Sequence, residues 1–352
     1  MNAADAHLFL VSTPLHLMVA LAITDVERLQ NAHLVFIDQV AGKANPYLAV
    51  LEEWAESPFT SLHVFFRPQR SALKKLAHRK QTFAQLAELV EHIRPAHIYV
   101  GNDRRIEFQY CMHRAAEQGR PAIGYYIDEG MFTYVGRAAS GTFSDRVLDN
   151  FLKKLSYGRW WKHPPTVGGS AWVKVVYAAY PELIHPLLKR KTIRHLSLAY
   201  WQCPLLKHFC HLLIGHLVGE LRLAQYGLIV TLPHESILQA RPELGEKVTA
   251  LIQSALQQDG RHVGVKYHPR DTQADALGLS ALDRVDLLPL QIPFEAMLPM
   301  LPAGAQVVGD FSTTLITTRL LRPDIAVRAM TSPNKKQAVY TELYRNLGIH
   351  FV

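Results

Sequence analysis

One loop-like stretch of the chain places an imidazole between two cations, in the sequence KYHPRD at residues 266–271. It follows a β-like run at 261–265, so it is predicted to leave the carboxyl end of a buried strand, where open α/β sheets bind ligands. Pro269 stops strand pairing and holds His268 extended. Lys266 and Arg270 flank His268, which can give a proton near neutral pH. The stretch therefore indicates a site for an anionic leaving group such as a phosphate.

Hydroxyl and carboxylate side chains follow two further predicted strands in the same half of the chain. Ser312 and Thr313 follow a β-like run at 306–309 and open a predicted helix, where hydroxyls and free backbone N–H groups form an anion site. Glu295 follows Pro293 at the head of another predicted helix, where its carboxylate could bind two ribose hydroxyls. Taken singly, each has a simpler interpretation, as a helix N-cap for Ser312 and a favourable dipole charge for Glu295.

An acidic pair followed by glycine, Asp128-Glu129-Gly130, ends a β-like run in the first half of the chain. Burial and the proximity of two like charges raise a carboxyl pKa toward values that suit a general base. Asp128 directly continues the strand, so we expect it to be the base. Glu129 faces the opposite side of the extended chain and is the other candidate. The alternative interpretation is a polar turn at the end of a strand.

Each of these motifs is expected at the end of a buried strand, and apolar runs of strand length precede them in the sequence. The predicted strands of the first half are 7–11, 33–38, 62–66, 97–100 and 122–127, and its predicted helices are 18–29, 72–93 and 107–118. The predicted strands of the second half are 227–231, 261–265, 285–288, 306–309 and 324–328, and its predicted helices are 244–256, 315–321 and 335–347. Alternating strands and helices indicate an α/β protein with two Rossmann-like domains and an active-site cleft between them.

The predicted domains are 1–195 and 226–335, joined by a linker and helix at 196–225 and followed by a C-terminal helix at 336–352. We expect irregular loops from 132 to 192, where glycine, tryptophan and basic residues cluster. The run 200–223 is apolar but carries Lys207 and three histidines. We interpret it as a helix that packs between the domains, with a helix on a membrane face as the alternative.

The net charge of +8 suits an anionic partner such as a nucleotide, a nucleic acid or an acidic membrane face. Nucleic acid is not expected, because basic and aromatic residues do not alternate on any strand-like stretch. Neither Gly-x-Gly-x-x-Gly nor a P-loop occurs, which argues against dinucleotide oxidoreductases and P-loop NTPases.

No metal or other cofactor is expected. The chain has no Asp-x-Asp triplet, the divalent-ion clamp of many nucleotide-sugar enzymes. A cluster of four potential ligands does not have the spacing of a zinc site; its members are His208, Cys210, His211 and His216.

The compartment follows from cysteine usage and from apolar runs. Cys111, Cys203 and Cys210 are an odd number in a long chain, which indicates reduced thiols in a cytosolic protein. We expect no signal peptide, because the start carries Asp5 and only a short apolar run, and no run of eighteen apolar residues occurs. We therefore expect a cytoplasmic protein, with peripheral binding to the cytoplasmic face of the inner membrane as a further possibility for the basic run 187–194 and the helix after it.

Together the motifs resemble those of bacterial sialyltransferases of the lipooligosaccharide and polysialic-acid kind. That group shares an acidic pair followed by glycine, a His-Pro and a paired Ser/Thr motif, and these occur here in that order as IDEG, KYHPRD and DFSTTL. The opening LFLVSTPLHL and the segment IPFEAML are also similar to segments of such enzymes. The last motif departs from the pattern, since many relatives have two serines, but the hydroxyls are kept.

The resemblance implies a GT-B fold, an acceptor-side domain at 1–195 and a CMP-sugar-binding domain at 226–335. It implies CMP-sialic acid as donor, a glycan as acceptor and no metal. Asp128, or else Glu129, would be the general base, and His268 would assist the departure of the CMP phosphate. Ser312 and Thr313 would hold the phosphate and Glu295 the ribose. The predicted substrate-binding residues also include Lys266, Pro269, Gly130, Thr13 and Thr231.

Two other readings stay open at this point. One is transfer of another activated sugar, such as Kdo from CMP-Kdo or a sugar from a different GT-B donor. The other is a basic nucleotide-binding protein without catalysis. The acceptor glycan is not indicated by any motif.

Overall fold

A computed structural model describes residues 5–67, 72–137, 154, 157–158, 160–259, 262–331 and 338–352. The chain divides into two compact units, Met1–Leu205 and Leu206–Val352. Each unit is built on its own parallel sheet, as the sequence predicts.

The first unit has a seven-stranded sheet with the strand order β3-β2-β1-β4-β5-β6-β7. Every pairing of neighbours in it is parallel. The strands are β1 (His7–Val11), β2 (Ala32–Gln39), β3 (Phe59–Phe66), β4 (His97–Val100), β5 (Ile123–Ile127), β6 (Val173–Ala178) and β7 (Thr192–His195). The central strands are nearly continuous apolar runs, because helices cover both faces of a parallel sheet.

Helices lie between these strands, and two more follow β7. They are Pro14–Val26, Pro46–Glu53, Ala72–Ile93, Ile106–Glu117, Met131–Val135, Leu198–Trp201 and Pro204–Val218. The first begins sharply because Thr13 caps it and Pro14 occupies its first position. The last spans the division between the units, and its buried residues are apolar.

The second unit repeats this topology with a six-stranded parallel sheet in the order β10-β9-β8-β11-β12-β13. Its strands are β8 (Tyr226–Thr231), β9 (His262–Lys266), β10 (Val285–Leu287), β11 (Gln306–Gly309), β12 (Ala326–Ala329) and β13 (His350–Phe351). Its helices are Glu235–Ala240, Pro242–Asp259, Phe294–Met297, Thr313–Leu321 and Ala338–Asn346, with short 3-10 turns at Leu223–Gln225, Leu279–Ala281 and Leu298–Met300.

Some predicted elements are wrong in extent, and others were missed. The region 132–192 is not only loops, since it contains β6, whose apolar run VKVVYA is preceded by glycine and tryptophan residues. The predicted helix 200–223 is broken, because Pro204 begins a new helix after Leu198–Trp201. The short strands β7 and β13 were not predicted. Of the predicted final helix 335–347, residues 335–337 lie outside the described part of the chain.

The three cysteines are buried and form no disulfide, as expected for reduced thiols. Among the described residues, no helix is both long and apolar enough to cross a membrane.

Candidate active site

A cavity of about 380 Å³ opens at the carboxyl ends of β8 and β9 in the second unit. Parallel α/β sheets bind ligands at this edge. Five predicted residues lie on its wall, namely Thr231, Lys266, His268, Pro269 and Glu295. They come from three separate stretches of sequence, and the fold brings these side chains together in one cavity.

The wall carries a buried cation, Lys266, and a carboxylate, Glu295, which interact electrostatically. Lys266 ends β9 and is only 6% exposed, and its ammonium donates a hydrogen bond to the Pro289 carbonyl at 2.6 Å. Burial lowers the pKa of Lys266 to about 8, although the Glu295 carboxylate opposes that shift. Burial also raises the pKa of Glu295, against the stabilising effects of its own N–H and of Lys266. Both side chains would gain from a ligand that completes their polar contacts.

The Thr231 side chain on this wall has a hydroxyl whose hydrogen-bonding capacity is unsatisfied among the described residues. Its Oγ1 is buried and has no hydrogen-bond partner among the described residues. Gly309 lies opposite Thr231 in the β8–β11 pairing, and a Cβ at Gly309 would come within 2.1 Å of that oxygen. An unpaired buried hydroxyl costs about 1–3 kcal/mol, and the lack of a side chain at Gly309 is what leaves room for this one.

His268 is held so that one ring nitrogen is free to donate. Its backbone N–H bonds to Asp271 at 3.1 Å, and its Nδ1 accepts the N–H of Arg270 at 3.3 Å. With Nδ1 as acceptor, the neutral ring carries its proton on Nε2. Burial lowers the pKa of His268, and Arg270, His234 and Lys266 lower it further while Asp271 opposes them. The ring therefore offers an Nε2–H donor at neutral pH.

Ser312 and Thr313 are placed differently from the prediction. Neither is among the residues that line the cavity, whereas Thr314, the next residue, is. Ser312 is the N-cap of the helix Thr313–Leu321, but its side chain makes no capping hydrogen bond. Its backbone N–H and C=O are both bonded to the Tyr344 hydroxyl. The first turn of this helix therefore retains uncapped N–H groups beside the cavity, where an anion is favoured.

In the first unit, Asp128 is a fully occupied carboxylate. It is 1% exposed, and it accepts hydrogen bonds from the Gly130 N–H at 2.9 Å, from the Ala179 N–H at 3.0 Å and from the Tyr134 hydroxyl. Burial raises its pKa, and these donors oppose the rise. The three donors tie β5 to the turn that follows it and to the end of β6.

Glu129, one residue on, is arranged in the opposite way. Its backbone N–H bonds to the Thr133 hydroxyl at 3.2 Å, but its Oε1 has no hydrogen-bond partner among the described residues. Burial and the charges of Asp128 and Asp103 raise its pKa to about 8, against Arg137 and Arg104. Glu129 thus has one buried carboxyl oxygen without a hydrogen-bond partner among the described residues, and its pKa is raised to about 8.

Comparison with known proteins now identifies the family. A model of the alpha-2,8-polysialyltransferase (POLYST) family matches residues 7–331, nearly the whole chain. The chain belongs to this family. It is therefore a sialyltransferase, and so a glycosyltransferase.

Three solved structures have the same fold as this chain along almost its whole length. A galactoside α-2,3-sialyltransferase from Photobacterium phosphoreum is 12% identical, with a TM-score of 0.59 over 99% of both chains. A sialyltransferase from Photobacterium damsela is 10% identical, with a TM-score of 0.54 over 99% of this chain and 82% of that one.

A UDP-GlcNAc 2-epimerase from Methanocaldococcus jannaschii is 9% identical, with a TM-score of 0.56 over 99% of this chain and 88% of that one. At such identities the likeness concerns the fold alone, which is GT-B. A sequence search of curated proteins finds no match.

Two other predicted residues of this polysialyltransferase-family chain have local structural roles. The Thr13 hydroxyl accepts the His16 N–H at 3.2 Å and caps a helix. Gly130 has a backbone φ of 95°, which side chains disfavour, so glycine is required for the turn that brings its N–H to Asp128. Their predicted contacts with substrate stay predictions.

One group of side chains in the described residues has the composition of a metal site. It consists of His234, His268 and Asp271, whose potential ligand atoms lie within 4.8 Å of one another. The sequence motifs predict a different role for His268, and His234 belongs to none of them. A signal was available, because His234 follows β8 by three residues, as His268 follows β9 by two.

Proposed function

We propose that this sialyltransferase moves sialic acid, or a related nonulosonic acid, from a CMP-activated donor to a hydroxyl of a bacterial surface glycan such as a lipooligosaccharide or capsule. It would do so with inversion and without a metal. The observation that carries the proposal is the convergence of Thr231, Lys266, His268 and Glu295 on one cavity at a strand-end edge. These are the groups that a nucleoside monophosphate requires.

The second unit would bind the donor and stabilise the leaving group. CMP departs as a phosphate monoester, so negative charge develops on its oxygens as the bond to the sialyl carbon breaks. The Nε2–H of His268, the Lys266 ammonium and the uncapped start of the helix Thr313–Leu321 are all suited to that charge. The Glu295 carboxylate would bind the ribose hydroxyls.

The first unit would supply the general base, and we assign that role to Glu129. The sequence favours Asp128, but the oxygens of Asp128 already accept three hydrogen bonds, two of them from the backbone. Oε1 of Glu129 has no hydrogen-bond partner in the described part of the chain, and the pKa of Glu129 is about 8, close to the range in which a base is efficient. In our proposal Asp128 holds the turn and raises the pKa of Glu129.

The bond changes balance in a single displacement. The acceptor oxygen forms a bond to the anomeric carbon of the sialyl group, the bond from that carbon to the CMP phosphate breaks, and the acceptor proton passes to Glu129. One displacement inverts the anomeric centre. Phosphate charge is met by protein donors in this scheme, so no divalent ion takes part.

The test is a comparison of donors and ligands on the full chain. We expect CMP to raise the melting temperature more than UMP or UDP, and CMP-sialic acid to give product with an acceptor that ends in sialic acid, the first acceptor that the family suggests. A preference for UDP would contradict the proposal. Turnover with CMP-Kdo but not with CMP-sialic acid would support CMP as the leaving group but show that the transferred sugar is Kdo.

A further inference from the structure

A second histidine stands beside His268. His234 lies in the loop after β8 and caps the helix Glu235–Ala240, while His268 lies in the loop after β9. Because β8 and β9 are neighbours in the sheet, the two loops leave the same edge side by side. The ring centroids are 5.2 Å apart and the rings are inclined by 72°.

The two histidine loops are clamped together by Asp271, whose side chain is only 1% exposed. One carboxylate oxygen accepts the N–H of Glu235 at 2.9 Å, and the other accepts the N–H of His268 at 3.1 Å. The clamp is reciprocal, since the Glu235 carboxylate accepts the N–H and the hydroxyl of Thr272, each at 3.1 Å. The spacing of the imidazoles is thus built into the loops.

Both imidazoles have the same local hydrogen bond. Nδ1 of His234 accepts the N–H of Ser236 at 3.2 Å and also lies 2.9 Å from the Ser236 hydroxyl, and Nδ1 of His268 accepts the N–H of Arg270 at 3.3 Å. In each neutral ring this bond places the proton on Nε2. The edge therefore presents two Nε2–H donors, of which that of His234 lies 3.9 Å from Oδ1 of Asp271.

This pattern opposes a metal at the group formed by His234, His268 and Asp271. A metal ligates the lone pair of a neutral imidazole nitrogen, and ligating histidines usually donate from the other nitrogen. Here the other nitrogen accepts, and both Asp271 oxygens accept backbone N–H groups. Two N–H donors fit an anion, and the anion this edge is proposed to receive is a phosphate.

We propose that His234 is a second imidazole donor to the phosphate of the nucleotide, which rests on the proposed function above. His268 lines the cavity and His234 does not, so His234 would contact a phosphate oxygen beside the cavity. Binding between two imidazoles would fix the phosphate in position for the departure of CMP. The residue would be specific for nucleotides that carry a phosphate, whatever their base.

The experiment measures the dissociation constants of CMP and of cytidine for the full chain. His234→Asn is the variant of choice, because asparagine still caps the helix Glu235–Ala240 but is too short to replace the Nε2 donor. His350→Asn is the control, since His350 is an exposed histidine at the amino end of β13. We expect His234→Asn to weaken CMP binding about ten-fold or more and to leave cytidine binding unchanged, because a hydrogen bond to a charged group contributes about 1.5–3 kcal/mol.

Three results would overturn the inference. If His268→Asn weakens CMP binding and His234→Asn does not, His234 is no ligand, and the proposed function stands. If zinc chloride stabilises the wild type but neither histidine variant, the group is a metal site. If the wild type does not bind CMP in preference to cytidine, the proposed function fails and this inference fails with it.

Discussion

The turn at Asp128-Glu129-Gly130 in the first unit, here called the acidic turn, and the cavity of the second unit lie at equivalent places, the carboxyl edges of two parallel sheets. The two sites bury titratable groups of opposite charge, the carboxyl of Glu129 in the acidic turn and the ammonium of Lys266 in the cavity. In the acidic turn, burial raises the pKa of Glu129 to about 8, and in the cavity burial lowers the pKa of Lys266 to about 8. One cause therefore moves a carboxyl and an ammonium to the same value from opposite sides. The lesson is that the same edge can make a base or an anion site, depending on which charge is buried there.

The largest expected effect separates the two carboxylates of the acidic turn. Glu129→Gln should lower turnover by about three orders of magnitude, since general-base catalysis contributes typically 10²–10⁴-fold, while CMP binding is unchanged. Because the active form is unprotonated, wild-type kcat/KM should rise with pH up to about pH 8. The pH profile of Glu129→Gln should lack this rise.

The stability of Glu129→Gln gives a control for that result. The folded pKa of Glu129 lies above that of an unfolded glutamate, so its ionisation destabilises the fold as pH rises toward 8. The glutamine variant should thus be no less stable than wild type at pH 8. A dead variant with a lowered melting temperature would instead indicate misfolding.

In the cavity, His268→Ala should lower turnover by about two orders of magnitude, because a donor aimed at the leaving phosphate acts mainly in the transition state. Steady-state rates with CMP-sialic acid measure the effect, with His350→Ala as the matched control. A rate close to that of wild type would remove His268 from the chemistry.

A smaller effect is expected for Asp128→Asn, and mainly on stability. Asp128 accepts hydrogen bonds from three donors. In an asparagine the NH₂ group replaces one of the two accepting oxygens, so at least one buried donor loses its partner. The free energy of unfolding should fall by about 1–3 kcal/mol, measured by urea denaturation. If this variant is the dead enzyme while fully stable, and Glu129→Gln keeps its activity, the roles we assign are reversed.

The smallest expected effect is that of EDTA, which should leave turnover essentially unchanged. In the proposed reaction Lys266, His268 and helix N–H groups at the cavity would meet the phosphate charge. A large loss that magnesium or manganese restores would contradict a metal-free reaction.

The sequence predicts the central strands and the cavity residues well, because both depend on local pattern. An apolar run followed by a polar motif places His268 and Glu295 at a strand edge regardless of distant contacts. The choice between Asp128 and Glu129 depends on the N–H of Ala179, which β6 delivers from 51 residues away. No local pattern contains that contact, and the same strand was missed in the sequence.

The sequence motifs also do not predict which individual residues at the edge of the second sheet lie beside the cavity. Whether Ser312, Thr313 or Thr314 reaches the cavity depends on how the helix begins, and the Tyr344 hydroxyl fixes Ser312 from a distant helix. His234 carries no motif of its own. Its place beside His268 follows from the pairing of β8 with β9.

The most direct test of the central claim is a crystal structure of the full chain with CMP bound. We predict the phosphate within hydrogen-bond distance of Nε2 of His268, about 2.7–3.2 Å, and the ribose hydroxyls on Glu295. The account would be contradicted by CMP elsewhere, for example in the larger groove of the second unit lined by Leu238, Gly245 and Leu277, with the His268 cavity left without nucleotide.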